Sequence, residues 1–479
     1  MRARVTLAML LVGICGSAWA DFEKGLQAWE SGDYRVAFDQ LKPAAEQGDA
    51  RAQFYLAEAY GLGRGTVQDY QESLNWYRKA ADQAHPEAME KLCTAYFFGE
   101  NIIRKDEAQA VQFCAGAAEK GKVYPAFLAA YAYDFGKGVT ADPARAATFY
   151  QIAAEGGNVD AQEALGRMYF FGQGVAQDYA EAAKWNRKVA ETGKAYPQYL
   201  MGYAYDYGRG VEANAAEAAK WYRMAADQGD ARAMSALGYL YSQGKGVEKN
   251  EAEALKLYLA AAEKQETSVY PMLGYAYFQG SGTAKNDAEA LKWFKLAAEQ
   301  NDAQSQYMLA YLLEQQKNYS EAAAWYQKAA EQGVVGAQES LAGLYFSGQG
   351  VPKDYAQAAK WYMQPAEQGS TYAQYLLGYI YEGRENVPAD PDQAIKWYTM
   401  AAEKGDARAQ LALGYLLSDD KLGRTDFLAA HMWSNLAAAQ LSGEERTAAE
   451  RQREFVGSKL PPDQLIKAQQ LARDWKPKS

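Results

Sequence analysis

The stretch Ala161–Thr192, AQEALGRMYFFGQGVAQDYAEAAKWNRKVAET, decides the fold because it is a copy: Ala52–Gln83 reads AQFYLAEAYGLGRGTVQDYQESLNWYRKAADQ. Numbering each copy from its first residue, positions 1, 5, 6 and 9 (Ala161, Leu165, Gly166, Tyr169) fall on one helical stripe, which predicts a first helix with one buried face. Glycine at position 6 costs about 1 kcal/mol in a helix interior, so it predicts a neighbouring helix in close approach. Position 12 is glycine in most copies (Gly63, Gly99, Gly136, Gly172, Gly208, Gly244, Gly280, Gly348), which predicts that a left-handed residue ends the first helix. Position 18, with one inserted residue allowed in the second long copy, is Asp or Asn throughout: Asp69, Asp106, Asp142, Asp178, Asn214, Asn250, Asn286, Asp354, Asp390 and Asp426. These read as N-caps of a second helix, with Pro143 and Pro391 at the first helical position after two of them. Single carboxylates one repeat apart do not converge on one ion, so they are not read as metal ligands.

Working outward, an aromatic residue followed four residues later by Ala or a close variant recurs at Trp76, Phe113, Phe149, Trp185, Trp221, Trp293, Trp325, Trp361, Trp397 and Trp433, with Leu257 as the one aliphatic substitute. The spacing is 36 residues except for one step of 37 and one of 32. A period of that length is a stack of supersecondary units, none of which buries its apolar stripe alone. The unit at 305–334 lacks the glycine loop and turns through Gln316–Tyr319, as the opening unit turns through Gly32-Asp33. In register the copies spell LGxxYxxGxGVxxDxxxAxxWYxxAAxxG, which closely resembles the Sel1-like repeat family, relatives of the tetratricopeptide repeats. Leu257, Asn186 after its Trp, and the shortened unit depart from the pattern. The resemblance implies an all-α fold, a right-handed superhelical α/α solenoid of about twelve helix-hairpin repeats. The expected organisation is a signal peptide at 1–20, a tetratricopeptide-like unit at 21–50, eleven Sel1-like repeats at 51–441 and capping helices at 442–479. The last segment is read as Ser442-Gly443-Glu444-Glu445, a capping box opening one helix, and Pro461-Pro462 opening another to about Trp475.

Residues 1–20 join Arg2 and Arg4 to an apolar run from Val5 to Ile14 and end in Ala18-Trp19-Ala20, the form of a cleaved export signal. No later stretch reaches the roughly 20 apolar residues of a membrane span. Loss of the two arginines takes the formal net charge from −10 to −12, which argues against binding nucleic acid or anionic lipid by bulk attraction. The expected destination is the periplasm or the cell exterior. After cleavage two cysteines remain, and an even pair in an oxidising compartment predicts a disulfide. Cys93 replaces the position-6 glycine and Cys114 the residue after the aromatic, so the paired replacement places them face to face across one hairpin.

Position 7 lies about 200° from position 5, away from the core stripe. It is tyrosine at Tyr131, Tyr203, Tyr239, Tyr275, Tyr311, Tyr379 and Tyr415, flanked at positions 3 and 11 by Phe127, Phe135, Tyr199, Tyr207, Tyr307 and Tyr375. In related solenoids the first helices line the concave face, so the resemblance implies an aromatic ladder there. Such rings either bind a partner or pack between neighbouring first helices, and tyrosine does both. The chain holds only His85 and His431, both read as ordinary helix-edge residues, so neither a His-based metal site nor a Ser-His-Asp set is assembled. No catalytic residue, metal or cofactor is therefore expected. The resemblance implies a non-catalytic adaptor for one or more proteins. A glycan or peptidoglycan binder using the same rings as stacking platforms is the alternative. A β-lactam or peptidoglycan hydrolase is the third reading, for which no Ser-x-x-Lys set with supporting motifs stands in a sensible context.

Overall fold

The computed structural model describes residues 22–423 and 425–478, the side chain of Leu422 excepted; the signal-peptide reading of residues 1–20 lies outside them. Twelve antiparallel helix pairs run from 22–31 with Tyr34–Glu46 to Ala407–Leu416 with Phe427–Gln440, followed by two single helices, Gly443–Gly457 and Pro462–Asp474. Among the described residues there is no strand, only one antiparallel bridge between Arg384 and Val387 in a loop. None of these helices is long and apolar enough to cross a membrane. The chain divides into two compact units at Lys264/Gln265. The first holds seven pairs; the second holds five and the two terminal helices.

The close approach expected at position 6 has a specific partner. A Cβ on Gly202 would lie 2.4 Å from the Tyr222 ring, and the same clash recurs between Gly378 and Tyr398. The residue after the repeat aromatic thus fills the space the glycine leaves, and Tyr222 and Tyr398 are fully buried there. The loop glycine two residues after position 12 is as constrained: Gly210 sits at φ +74° with its missing Cβ 1.9 Å from the Tyr179 carbonyl oxygen. Only glycine lets that loop rest on the start of the preceding second helix.

All ten position-18 side chains accept hydrogen bonds from backbone N–H groups one turn on, as at Asp178, which takes those of Ala180 and Glu181. Seven of the eight position-12 glycines are left-handed. Gly99 is the exception at φ 77°, ψ 101°. Its loop carries the inserted residue and turns through Asn101 at φ 53°, so it leaves the helix by another route. The terminal helices start where expected, but Ser442 makes no side-chain cap bond, so the capping box does not form. Gly443, the first residue of that helix, has a positive φ of 56°.

A recurrent buried glutamine at position 2, which the sequence reading did not single out, ties consecutive pairs together. Gln198 Nε2 donates to the Ala190 carbonyl of the preceding helix at 3.1 Å, and its Oε1 accepts from Gln228 at 2.7 Å. The same bonds are made by Gln53 with Ala45 and Gln83, Gln306 with Ala298 and Gln332, and Gln410 with Ala402 and Gln440.

Candidate partner-binding surface

The seven position-7 tyrosines leave the core stripe, but they do not all stand free. Tyr239 and Tyr415 are exposed at 47% and 46%, whereas Tyr131, Tyr203, Tyr275, Tyr311 and Tyr379 are half-buried. For four of the five the cause is the phenylalanine at position 10 of the preceding first helix; Tyr275 instead meets Phe294 edge-on at 5.0 Å. Phe97 meets Tyr131, Phe170 meets Tyr203, Phe278 meets Tyr311 and Phe346 meets Tyr379, at ring-centre separations between 5.6 and 6.3 Å. Each ring packs on one side and shows its other side to solvent.

Position 10 itself alternates with a two-repeat period: Phe97, Asp134, Phe170, Asp206, then Phe278, Glu314, Phe346, Glu382, with Ser242 between the two runs. Each carboxylate therefore stands three residues after a position-7 tyrosine, on the same helix face. It is also served from below. The buried tyrosine after the repeat aromatic donates its hydroxyl to it, Tyr326 to Glu314 at 2.6 Å and Tyr398 to Glu382 at 2.8 Å, with a longer contact from Tyr150 to Asp134 at 3.4 Å. Burial and then the adjacent carboxylate push these hydroxyls far above the ordinary tyrosine value, so they stay protonated donors. Arg167 pairs with Asp134 at 3.2 Å, Lys245 pairs with Asp206, and Arg384 pairs with Glu382 at 2.7 Å while its guanidinium lies 3.9 Å from the Tyr379 ring centre. These faces thus combine an aromatic ring, a carboxylate and a cation.

In the 265–478 unit the arrangement borders an open cleft of about 540 Å³ lined by Tyr375, Tyr379, Tyr398, Tyr415, Glu382 and Glu445, with Arg408 placed over the Tyr375 ring at 4.6 Å. Two of the tyrosines singled out in the sequence, Tyr379 and Tyr415, meet here. In the 22–264 unit a row of exposed apolar groups stands at position 11: Leu62, Phe98, Phe135, Phe171 and Tyr207, 51–60% exposed in five successive repeats. Only Phe135 and Tyr207 were anticipated, as flanks of position 7. Their rings lean on that row, Phe135 on Tyr131 at 4.7 Å and Tyr207 on Tyr203 at 4.6 Å.

Cys93 and Cys114 form a disulfide across their hairpin, with Cα atoms 4.8 Å apart and both residues fully buried. His85 caps the helix Pro86–Phe98, its Nδ1 accepting from the Ala88 N–H at 3.4 Å, and stacks on Phe54. His431, read as a helix-edge residue, is instead buried, because the terminal helices close over it near Gly457. Its Nδ1 has no hydrogen-bond partner among the described residues. Desolvation, with Arg453 nearby, holds its pKa below the ordinary histidine value. Among the described residues no three His, Cys, Asp or Glu side chains group as a metal site.

The family model for the Sel1 repeat matches eleven consecutive segments between residues 50 and 440. Of solved structures, a protective antigen of uropathogenic Escherichia coli strains displaying an SLR fold is 34% identical with a TM-score of 0.60, over 91% of this chain and 94% of that one. A Sel1 repeat protein from Oxalobacter formigenes is 27% identical with a TM-score of 0.48, over 64% of this chain and 90% of that one. No curated protein matches the chain.

Proposed function

The chain belongs to the Sel1 repeat family, and from that premise we propose that it is a non-catalytic scaffold that binds protein partners on the tyrosine-bearing faces of its first helices, outside the cytoplasm. The observation that carries the reading is the coupling of position 7 to position 10. Half-buried rings are held in place by Phe97, Phe170, Phe278 and Phe346, and carboxylates stand beside them. Rigid tyrosines lose little entropy on binding and supply both contact area and a hydrogen-bonding group, so pre-positioned rings suit a protein interface. The position-11 row Leu62, Phe98, Phe135, Phe171 and Tyr207 adds exposed apolar area to the same side of those helices. Residues 1–20 as an export signal and the Cys93–Cys114 disulfide both fit an oxidising compartment.

The test is a quantitative crosslinked pull-down from intact cells with the wild type and a Tyr379→Ser, Tyr415→Ser double variant. The variant must keep the wild-type circular dichroism. Loss of a specific partner supports the scaffold reading, and an unchanged partner list moves the interface away from these rings.

A further inference from the structure

We propose that the face around Tyr311, Glu314 and Gly343 in the 265–478 unit is a receptor for a lysine or arginine side chain supplied by a protein partner. The inference rests on the scaffold reading and adds the chemistry of what is bound.

The chain carries its own comparison. Four carboxylates stand at position 10 three residues after a tyrosine, and three of them are neutralised from within: Asp134 by Arg167, Asp206 by Lys245, Glu382 by Arg384. The fourth, Glu314, has no ion-pair partner among the described residues; the only hydrogen bond it receives there comes from the Tyr326 hydroxyl. The position that supplies Arg167 to Asp134 is position 7 of the next first helix, and at the equivalent place after Glu314 the chain has Gly343. A Cβ built on Gly343 would find only the Tyr362 hydroxyl, at 3.6 Å, so the space a long cationic side chain occupies elsewhere is open.

Tyr362 points independently to the same place. Where position 10 is an acid, the residue after the repeat aromatic is tyrosine (Tyr150, Tyr222, Tyr326, Tyr398), and where it is phenylalanine that residue has no phenol: Cys114, Asn186, Phe294. Tyr362 breaks the rule. Its hairpin has Phe346 at position 10, and its hydroxyl, at 0% exposure and with Tyr372 as polar neighbour, has no partner in hydrogen-bonding geometry. A buried hydroxyl without a partner is unfavourable, and an ammonium or guanidinium N–H entering beside Gly343 would satisfy it. Glu339, one turn before Gly343, adds a second carboxylate whose charge is felt at both Tyr307 and Tyr362. The ring, carboxylate and open space match the way Arg384 lies on Tyr379 and Glu382 in the same unit. That geometry combines a charge-assisted hydrogen bond with a cation–π contact, which selects an organic cation.

The test measures binding of a fluorescently labelled tetra-arginine amide to the full chain by polarisation at low salt, with a tetra-glutamine peptide as control. Wild type should bind the arginine peptide, and Glu314→Gln and Gly343→Arg should each weaken it at least about ten-fold. Glu248→Gln, in the other unit, should leave it unchanged. Equal affinity across all four proteins would mean bulk acidity alone, and absence of wild-type binding would mean no site; either result overturns the proposal. The pull-down separates it from the reading beneath: a partner kept by Glu314→Gln but lost by the Tyr379→Ser, Tyr415→Ser variant overturns the cation receptor while leaving the scaffold intact.

Discussion

At the scale of single residues, the packing of position 6 against the residue after the repeat aromatic explains both the glycines and the disulfide. With Tyr222 ring atoms 2.4–2.9 Å from a Cβ at Gly202, Gly202→Val overfills a closed space. It should lower the unfolding free energy by about 1–3 kcal/mol in chemical denaturation. Cys93 and Cys114 occupy the same pair of positions in their hairpin and close a loop with a sequence separation of 21 residues. A Cys93→Ala, Cys114→Ala variant should lose about 3 kcal/mol, and reductant should destabilise the wild type but not the variant. His431 gives a pH signature. Buried and held neutral, it titrates below its unfolded value of about 6.5, so the unfolded chain takes up the proton first as the solution is acidified. Its contribution to stability is complete above about pH 6.5 and declines as pH falls through that value toward the folded pKa. The denaturation midpoint should therefore be lower at pH 5.5 than at 7.5, and His431→Gln should reduce that difference; an unchanged slope would show that His431 is not the linked group. The position-6 contact was legible in the sequence because small and large residues exchange together. The burial of His431 was not, because the helix that covers it carries no motif that says where it will dock.

At the scale of elements, hairpin boundaries were legible to within a residue or two, since Asp and Asn caps and left-handed glycines act through local geometry. What escaped were signals with no local meaning. Gln198 reads as an ordinary polar residue until its amide is seen bridging Ala190 and Gln228. Gln198→Ala removes both bonds, but the Ala190 carbonyl keeps the Gly193 N–H and the Gln228 amide keeps the Met224 carbonyl, so it should cost about 0.5–1.5 kcal/mol, whereas Gln173→Ala, in an exposed loop, should be neutral in the same melt. The alternation of Phe and Asp or Glu at position 10 was equally visible in the letters, but comparison at one repeat averages a two-repeat pattern away. The half-burial of Tyr131, Tyr203, Tyr311 and Tyr379 follows from it, because the helical wheel of one helix says nothing about the phenylalanine its neighbour presents.

At the scale of the whole molecule, a repeat period of 36 residues leaves little freedom in fold class, since within each unit a hairpin packs on the next in much the same way. The division at Lys264/Gln265 was not anticipated; it follows the helix whose aromatic is replaced by Leu257, and Gln265 there has φ 65°. The terminal helices complete the last repeat, with Trp475 edge-on to Trp433 at 6.0 Å. A chain ending at Leu441 should expose Trp433 and aggregate at concentrations where the full chain is monodisperse by light scattering. The central claim, that partners dock on the tyrosine-bearing first-helix faces, is tested most directly by site-specific photocrosslinking in intact cells. A benzophenone amino acid replaces Tyr239 or Tyr415 in one set of proteins, and Lys220 or Lys256, exposed on second helices, in another. The account predicts partner adducts from positions 239 and 415 and none from 220 and 256; adducts confined to the second-helix positions would contradict it.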